Sequence, residues 1–171
     1  MKKKAWSMIL EIVDILLAVI ILAVIINGAE DYCKQSKRVN MSFKEAMDLV
    51  DLPVITFYNN GKKFNFLLDT GATISIVDSN ILDSLTCEKL KDVGTVFGVE
   101  GNKVPVSYVR AQLDYKGENY KEDFQVLDMS NAFGNIKEES GVTLSGILGS
   151  QFFHKYQYVL DFKELIAYSK K

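Results

Sequence analysis

Hydrophobic and polar positions divide the chain into three parts. Residues 5–26 are almost wholly apolar, residues 30–40 are polar and rich in charge, and from residue 53 onward short apolar runs alternate with turn residues. The last pattern is typical of β-strands. We therefore predict a membrane anchor at residues 1–28, a juxtamembrane tether with a short helix at residues 29–52, and one folded domain at residues 53–171.

The apolar segment has the length of a transmembrane helix. At 1.5 Å per residue, about 22 helical residues reach across a hydrocarbon core of about 30 Å. Lys2, Lys3 and Lys4 precede the segment, and the positive-inside rule then predicts a cytoplasmic N-terminus. We expect a single-pass protein that contacts the membrane through residues 5–26 and carries its folded domain on the extracytoplasmic side.

Two other interpretations of this segment compete with a retained anchor. A basic start followed by an apolar run is also typical of a cleaved signal peptide, although Asn27-Gly28-Ala29 is a poor cleavage site. Glu11 and Asp14 lie on one helical face, as they would in an interfacial or coiled-coil helix. The residues after Asp14 are apolar on every face, which favours the anchor.

The pattern after the tether predicts a mainly β domain. A Ser-x-x-Glu capping box at Ser42 and Glu45 opens a short helix, which Pro53 prevents from continuing. Residues 54–58 and 63–68 are strand-like runs on either side of an Asn-Asn-Gly-Lys hairpin turn. The other predicted elements are turns at 98–102, 114–118 and 131–141 and short helices at 78–85 and 150–156.

Composition narrows the chemistry. The net charge is −2 with 25% charged residues, so we expect no nucleic-acid partner, which would require a basic surface. The single histidine, His154, and the two cysteines, Cys33 and Cys87, fit no zinc spacing. The two thiols are either joined in an oxidising compartment or unpaired. We expect no metal and no cofactor, and the lone histidine argues against Ser-His-Asp or Cys-His catalysis.

One segment carries a candidate catalytic group. Asp69-Thr70-Gly71 is a turn between two apolar runs, which draw it toward the interior, where a carboxylate is costly without partners. Gly71 lets the main chain approach the carboxylate, and the Thr70 hydroxyl can tie the loop to a second copy of itself. The tripeptide alone is also compatible with an ordinary turn, because Asp and Gly are common in turns.

The wider context of this turn resembles the retropepsin-like aspartic proteases, which include bacterial and cellular relatives of the retroviral enzymes. The resemblance covers residues 53–168. It rests on Leu-Leu-Asp-Thr-Gly-Ala-Thr at residues 67–73, a central hairpin, a hydrophobic-hydrophobic-Gly element within residues 145–153, and a closing strand at residues 158–162. The resemblance implies a closed β-barrel, the single lobe of an acid protease, with one or two short helices.

The resemblance also implies a set of site residues. Three positions depart from the family's pattern: Thr73 and Ser150 stand where retroviral enzymes have an acid and an arginine, and Gln151 stands where bacterial members often have Asp. The flap is assigned to the hairpin at residues 96–104, which has fewer glycines than usual. The implied site consists of the catalyst Asp69, its loop supports Thr70, Gly71 and Ala72, the flap residues Phe97, Gly98, Val99, Glu100 and Gly101, and the late element Ile147, Leu148 and Gly149.

The implied mechanism needs two carboxylates that share one proton, and this chain has one Asp-Thr-Gly motif. Endopeptidase activity on a peptide or protein substrate therefore requires a homodimer that pairs two Asp69 side chains. Ala72 has no hydroxyl that would lower the carboxylate pKa, so we expect activity at weakly acidic to near-neutral pH. The alternative is an inactive domain of the same fold that serves as a binding or assembly module at the membrane.

Overall fold

The computed structural model describes residues 17, 19–22, 39–90, 94–97 and 103–169, and only the backbone of residues 94–97 and 103–106. The chain divides into two units, residues 1–38 with residue 171, and residues 39–170. The described residues of the first unit are helical, and their side chains are exposed. The rest of the predicted anchor, and the tether up to residue 38, lie outside the described residues.

The predicted membrane location is wrong. A helix needs about 20 predominantly apolar residues to cross a bilayer. No helix within the described ranges is both long enough and apolar enough to do so. This finding contradicts the expected single-pass topology, with its cytoplasmic N-terminus and its extracytoplasmic domain.

Strands dominate the second unit, as the alternation of apolar runs and turn residues predicts. A three-residue 3-10 helix, Ser79–Ile81, follows β4. In chain order the other elements are β1 (Asn40–Ser42), α1 (Lys44–Val50), β2 (Val54–Asn59), β3 (Lys62–Leu68), β4 (Ser75–Asp78), β5 (Cys87–Lys89), β6 (Gly94–Phe97), β7 (Lys103–Tyr115), β8 (Glu118–Leu127), α2 (Ser130–Ser140), β9 (Gly146–Leu148), α3 (Ser150–Tyr156), β10 (Tyr158–Asp161) and β11 (Ile166–Ser169).

Six of the described strands close into a barrel. Their order is β2-β3-β9-β4-β8-β7, and the pairing of Tyr58 in β2 with Asp114 in β7 returns the ring to its start. Strand β9 runs parallel to β3, and β8 runs parallel to β4, whereas the other pairs in the ring are antiparallel. The predicted mainly β, closed-barrel fold is therefore confirmed.

Two predicted hairpin turns are confirmed. Asn60 and Gly61 join β2 to β3 with φ angles of 48° and 77°, and Lys116 and Gly117 join β7 to β8 with φ angles of 52° and 85°. Positive φ at both central residues gives the turn a twist that matches the twist of the strands. Glycine adopts this conformation without steric cost, which explains its position in both turns.

The helices differ in part from the prediction. Helices α1 and α3 form where the sequence predicts them, and the prediction at residues 78–85 is reduced to the 3-10 turn Ser79–Ile81. The turn predicted at residues 131–141 is wrong, because this segment forms α2 and ends at Gly141, which has a φ of 76°. Asn and Gly disfavour a helix locally, but Phe133 of α2 is buried in an apolar cluster, and that packing stabilises the helix.

The strands beside the Asp-Thr-Gly loop bury side chains on both faces. Phe66, Leu68, Val77 and Leu148 belong to the main core, which includes an edge-to-face aromatic pair between Phe57 and Phe66. The residues that alternate with them point the other way, as the period of a strand requires. A second cluster, here called the outer cluster, contains Val54, Leu67, Ala72, Ile76, Phe133, Leu144 and Ile147, among others.

A smaller sheet, in the order β1-β11-β10, packs on the barrel core. Met41 of β1 and Ala167 of β11 are buried in the main core. Tyr158 of β10 and Tyr120 of β8 form a buried hydroxyl–hydroxyl hydrogen bond of 2.6 Å. The small sheet and the barrel therefore share one core.

Candidate active site

The Asp-Thr-Gly loop connects β3 to β4 around the end of a third strand. Strand β9 lies between them and pairs with both. The Asp69 amide donates to the Leu148 carbonyl at 3.0 Å, and the Ser150 amide donates to the Ala72 carbonyl at 2.7 Å. The late hydrophobic-Gly element therefore supports the loop from behind, so two segments far apart in sequence form one structural feature.

The main chain orients the Asp69 carboxylate. The Gly71 amide donates to Oδ1 of Asp69 at 2.8 Å, and a Cβ atom at Gly71 would lie 3.1 Å from that oxygen. Asp69 is half-buried, whereas Thr70 and Gly71 are exposed. The loop thus holds the Asp69 carboxylate near the surface, with one of its oxygens oriented by a backbone amide. The side chain of Thr70 beside it is exposed.

Gly149 permits the close contact between the loop and the late element. A Cβ atom at this position would lie 2.7 Å from the carbonyl carbon and oxygen of Ile74 and 2.9 Å from the carbonyl oxygen of Ala72. Contacts this short with backbone atoms cannot be relieved by rotating a side chain. Glycine is therefore required where the late element passes the loop.

The residues that depart from the family's pattern make polar contacts with one another through the main chain. The Ser150 hydroxyl donates to the Thr73 carbonyl at 3.4 Å, and the Gln151 amide donates to the same oxygen at 3.2 Å. The start of α3 thus holds the loop without the ion pair of the retroviral enzymes. These contacts use one acceptor, the carbonyl of Thr73, in place of two charged side chains.

An apolar wall lies beside the loop. Ala72 of the loop, Ile76 of β4 and Ile147 of β9 belong to the outer cluster, and Phe133 of α2 packs with them. Leu148 instead points into the main core, where it is fully buried. Of the predicted late residues, Ile147 is therefore the one whose side chain joins this wall, while Leu148 and Gly149 contribute backbone contacts to the loop.

The predicted flap is described only in part. Strand β6, which ends at Phe97, pairs antiparallel with the start of β7, where Lys103 is the partner of Phe97. This pairing provides the two arms of the hairpin. Four of the five predicted flap residues lie outside the described residues, namely Gly98, Val99, Glu100 and Gly101.

Three polar residues behind the loop were not predicted from the sequence. Ser75 and Glu122 have exposures of 1% and 4%, and the Ser75 hydroxyl donates to Oε1 of Glu122 at 2.8 Å. Lys155 lies 3.2 Å from the other carboxylate oxygen. Burial alone would lower the pKa of Lys155, but the adjacent Glu122 raises it above its ordinary value. The signal in the sequence was the position of Glu122, between Tyr120 and Phe124 on the buried face of β8.

The described cysteine and the acidic residues form no metal site. No group of three or more His, Cys, Asp or Glu side chains in the described part of the chain is arranged to hold a metal ion. Cys87 is a free, half-buried thiol, and burial raises its pKa. Cys33, its candidate disulfide partner, lies outside the described residues.

Comparison with known families agrees with this geometry. The family model described as aspartyl protease matches residues 55–152, which include the loop, β9 and the start of α3. The chain belongs to the aspartyl protease family. The retropepsin-like resemblance is therefore confirmed at the level of the family.

Solved structures similar to this aspartyl protease family member include retroviral and cellular proteins. The protease of EIAV, complexed with the inhibitor HBY-793, is 22% identical, with 65% of this chain and 93% of that chain covered and a TM-score of 0.46. The retroviral protease-like domain of Ddi1 from Leishmania major is 14% identical (66% and 82% covered, TM-score 0.44). A retropepsin-like aspartic protease from Rickettsia conorii is 15% identical (77% and 91% covered, TM-score 0.47).

Proposed function

We propose that the protein is an aspartic endopeptidase that acts as a homodimer, with one Asp69 carboxylate from each copy. The observation that carries this proposal is the Asp69 carboxylate itself, which the Gly71 amide orients at the surface of a loop fastened to β9. An oriented carboxylate at an exposed loop is suited to meet a second carboxylate. Because the chain has one Asp-Thr-Gly motif, that second group comes from another copy.

Pairing creates an acid and a base from identical residues. Two carboxylates held close together cannot both ionise readily, so the pair retains one proton. The ionised carboxylate takes a proton from a water molecule as the water oxygen attacks the peptide carbonyl carbon. The protonated carboxyl gives its proton to the carbonyl oxygen. The carboxyl that took the water proton then gives it to the leaving nitrogen, while the other carboxylate takes a proton from a hydroxyl of the gem-diol. The C–N bond thus breaks as the new carboxyl C=O bond forms, and the pair again holds one proton.

The other predicted residues have supporting roles in this proposal. Thr70 and Gly71 hold the loop beside its symmetry mate, and Ala72 joins Ile147 in the apolar wall that would contact substrate side chains. The flap residues, Phe97 and residues 98–101, would cover a bound peptide. Such a site takes an extended peptide with apolar side chains on either side of the cleaved bond.

The test is peptide cleavage by the full chain and by two carboxylate-to-amide variants. Incubation with a mixed peptide library should give defined products, and Asp69→Asn should lower the rate by at least about 100-fold, because it removes an acid–base group. Asp48→Asn, at an exposed position of α1, is the matched control and should retain the wild-type rate. Equal cleavage by wild type and Asp69→Asn would eliminate Asp69 as the catalyst. Absence of cleavage by wild type, with peptides still bound, would favour the inactive binding module.

A further inference from the structure

A partly buried charged network connects three segments behind the Asp-Thr-Gly loop. Glu122 of β8 accepts from the Ser75 hydroxyl through Oε1 and contacts the Lys155 ammonium through Oε2. The Ser75 hydroxyl oxygen also accepts from the Gly149 amide at 3.2 Å. The network therefore joins the first residue of β4, the turn between β9 and α3, and the last part of α3 to a single carboxylate.

The position of each contact relates the network to the loop. Ser75 is the residue at which the loop ends and β4 begins, and Gly149 is followed directly by Ser150, whose amide holds the Ala72 carbonyl. A shift of Ser75 relative to Gly149 would therefore move the two supports of the loop apart. The Ser75–Glu122 and Ser75–Gly149 hydrogen bonds are both buried, so water cannot readily replace either partner.

Stability alone gives no reason for a charge at this place. An ionised carboxylate loses its hydration when it is buried, and replacing a buried ion pair by apolar residues of similar volume is often neutral or stabilising. Lys155 does not share this constraint, because its side chain is 49% exposed and also contacts the Lys121 carbonyl. The buried member, Glu122, is the one whose position in the interior calls for a role other than stability.

We infer that Glu122 is a positioning residue of the active site, which acts through Ser75 to set the distance between the Asp69 loop and the β9–α3 support. Lys155 balances the charge of Glu122 from the solvent side. This inference rests on the proposed function, since the loop that the network holds is the one assigned to catalysis. Neither Glu122 nor Ser75 touches the Asp69 carboxylate in the described contacts, so their effect is on geometry and not on proton transfer.

The key variant is Glu122→Leu in the full chain. It keeps the side-chain volume but leaves the buried Ser75 hydroxyl without its acceptor, so the melting temperature should fall. We expect kcat to fall about tenfold or more, because a small displacement of a catalytic group has large effects on rate, with KM changed less than about twofold. Glu122→Gln, which keeps an acceptor for Ser75, should recover most of the lost kcat.

Two further variants test whether the fall in kcat is specific to the Ser75–Glu122 network. Ser75→Ala should lower kcat to a similar degree, and combining it with Glu122→Leu should cost little more than either alone, because both remove one interaction. Asp123→Asn is the matched control. Asp123 is the next residue on β8, so its side chain lies on the opposite face of the strand from that of Glu122, where it pairs with Arg110. The variant should keep wild-type kcat.

A measurement that does not depend on activity completes the test. Amide hydrogen exchange at Asp69 and Ser150 reports the two hydrogen bonds that hold the loop, and Glu122→Leu should accelerate both while Asp123→Asn leaves them unchanged. Wild-type kcat together with wild-type exchange at these amides in Glu122→Leu would overturn the inference. If the wild-type chain cleaves nothing, the proposed function fails. The exchange rates in Glu122→Leu then still test whether Glu122 positions the loop: accelerated exchange supports this role, and unchanged exchange overturns it.

Discussion

At the scale of single residues, the site depends on where side chains are missing as much as on where they are present. Gly149 has backbone atoms of Ile74 and Ala72 within 2.9 Å of the place where a Cβ atom would lie. Gly134, inside α2, has no heavy atom within 4 Å of its corresponding position apart from its chain neighbours and the backbone of its own helix. Packing therefore requires glycine at position 149, whereas position 134 has room for a side chain.

This contrast predicts stability changes of opposite sign. Gly149→Ala should destabilise the protein by about 1–3 kcal/mol, because the added methyl group forces backbone atoms apart. Gly134→Ala is the matched control and should stabilise by about 0.5–1 kcal/mol, because alanine loses less backbone entropy in a helix. Urea denaturation followed by circular dichroism measures both values. Equal, small changes in the two variants would show that the turn after β9 is not in close contact with the loop.

At the scale of elements, a side-chain hydrogen bond joins the small sheet to the barrel. The Tyr120 and Tyr158 hydroxyls lie 2.6 Å apart in a buried position between β8 and β10. Burial and this hydrogen bond raise the pKa of Tyr120 well above its ordinary value of 10.0. Burial also raises the pKa of Tyr158, although the hydrogen bond from Tyr120 opposes the shift. Both groups therefore stay protonated in the folded state at a pH where the unfolded chain ionises them.

The raised pKa values predict a loss of stability in alkali. The stabilising contribution is complete below the unfolded-state pKa of about 10 and declines as pH rises above it, because only the unfolded chain then releases protons. Replacing Tyr120 with Phe should reduce this decline between about pH 9.5 and 11, and it should cost about 1 kcal/mol at neutral pH through loss of the hydrogen bond. Urea unfolding across this pH range is the measurement. An unchanged slope in the variant would show that the Tyr120 hydroxyl is accessible to ionisation when folded.

Helix α2 forms although its local sequence predicts a turn. Asn131, Gly134 and Asn135 predict a turn, yet the segment is helical from Ser130 to Ser140. The decisive contact is made by Phe133, which is 7% exposed and lies in the outer cluster with Ile147 and Val54. Burial of an aromatic ring contributes more than the unfavourable propensities of these residues subtract.

At the scale of the whole molecule, catalysis by one Asp-Thr-Gly motif requires two copies, and mixing tests this directly. If subunits exchange, a ninefold excess of Asp69→Asn leaves about one tenth of the wild-type subunits in wild-type pairs, so activity should fall about tenfold. The control is an equal amount of serum albumin, which should have no effect. Undiminished activity after exchange would show that the second carboxylate does not come from another copy.

Local sequence determined much of this protein: the strand alternation, the Asn-Gly and Lys-Gly turns, helix α3, and the placement of Asp69 in a turn between apolar runs. Each depends on residues near one another in the chain, whose periodicity and turn chemistry are visible in one dimension. Only the tertiary structure decided that α2 is a helix and that Ser75, Glu122 and Lys155 meet behind the loop. Ser75 and Glu122 are 47 positions apart, and a contact over that distance depends on the path of the whole barrel, which no short pattern encodes.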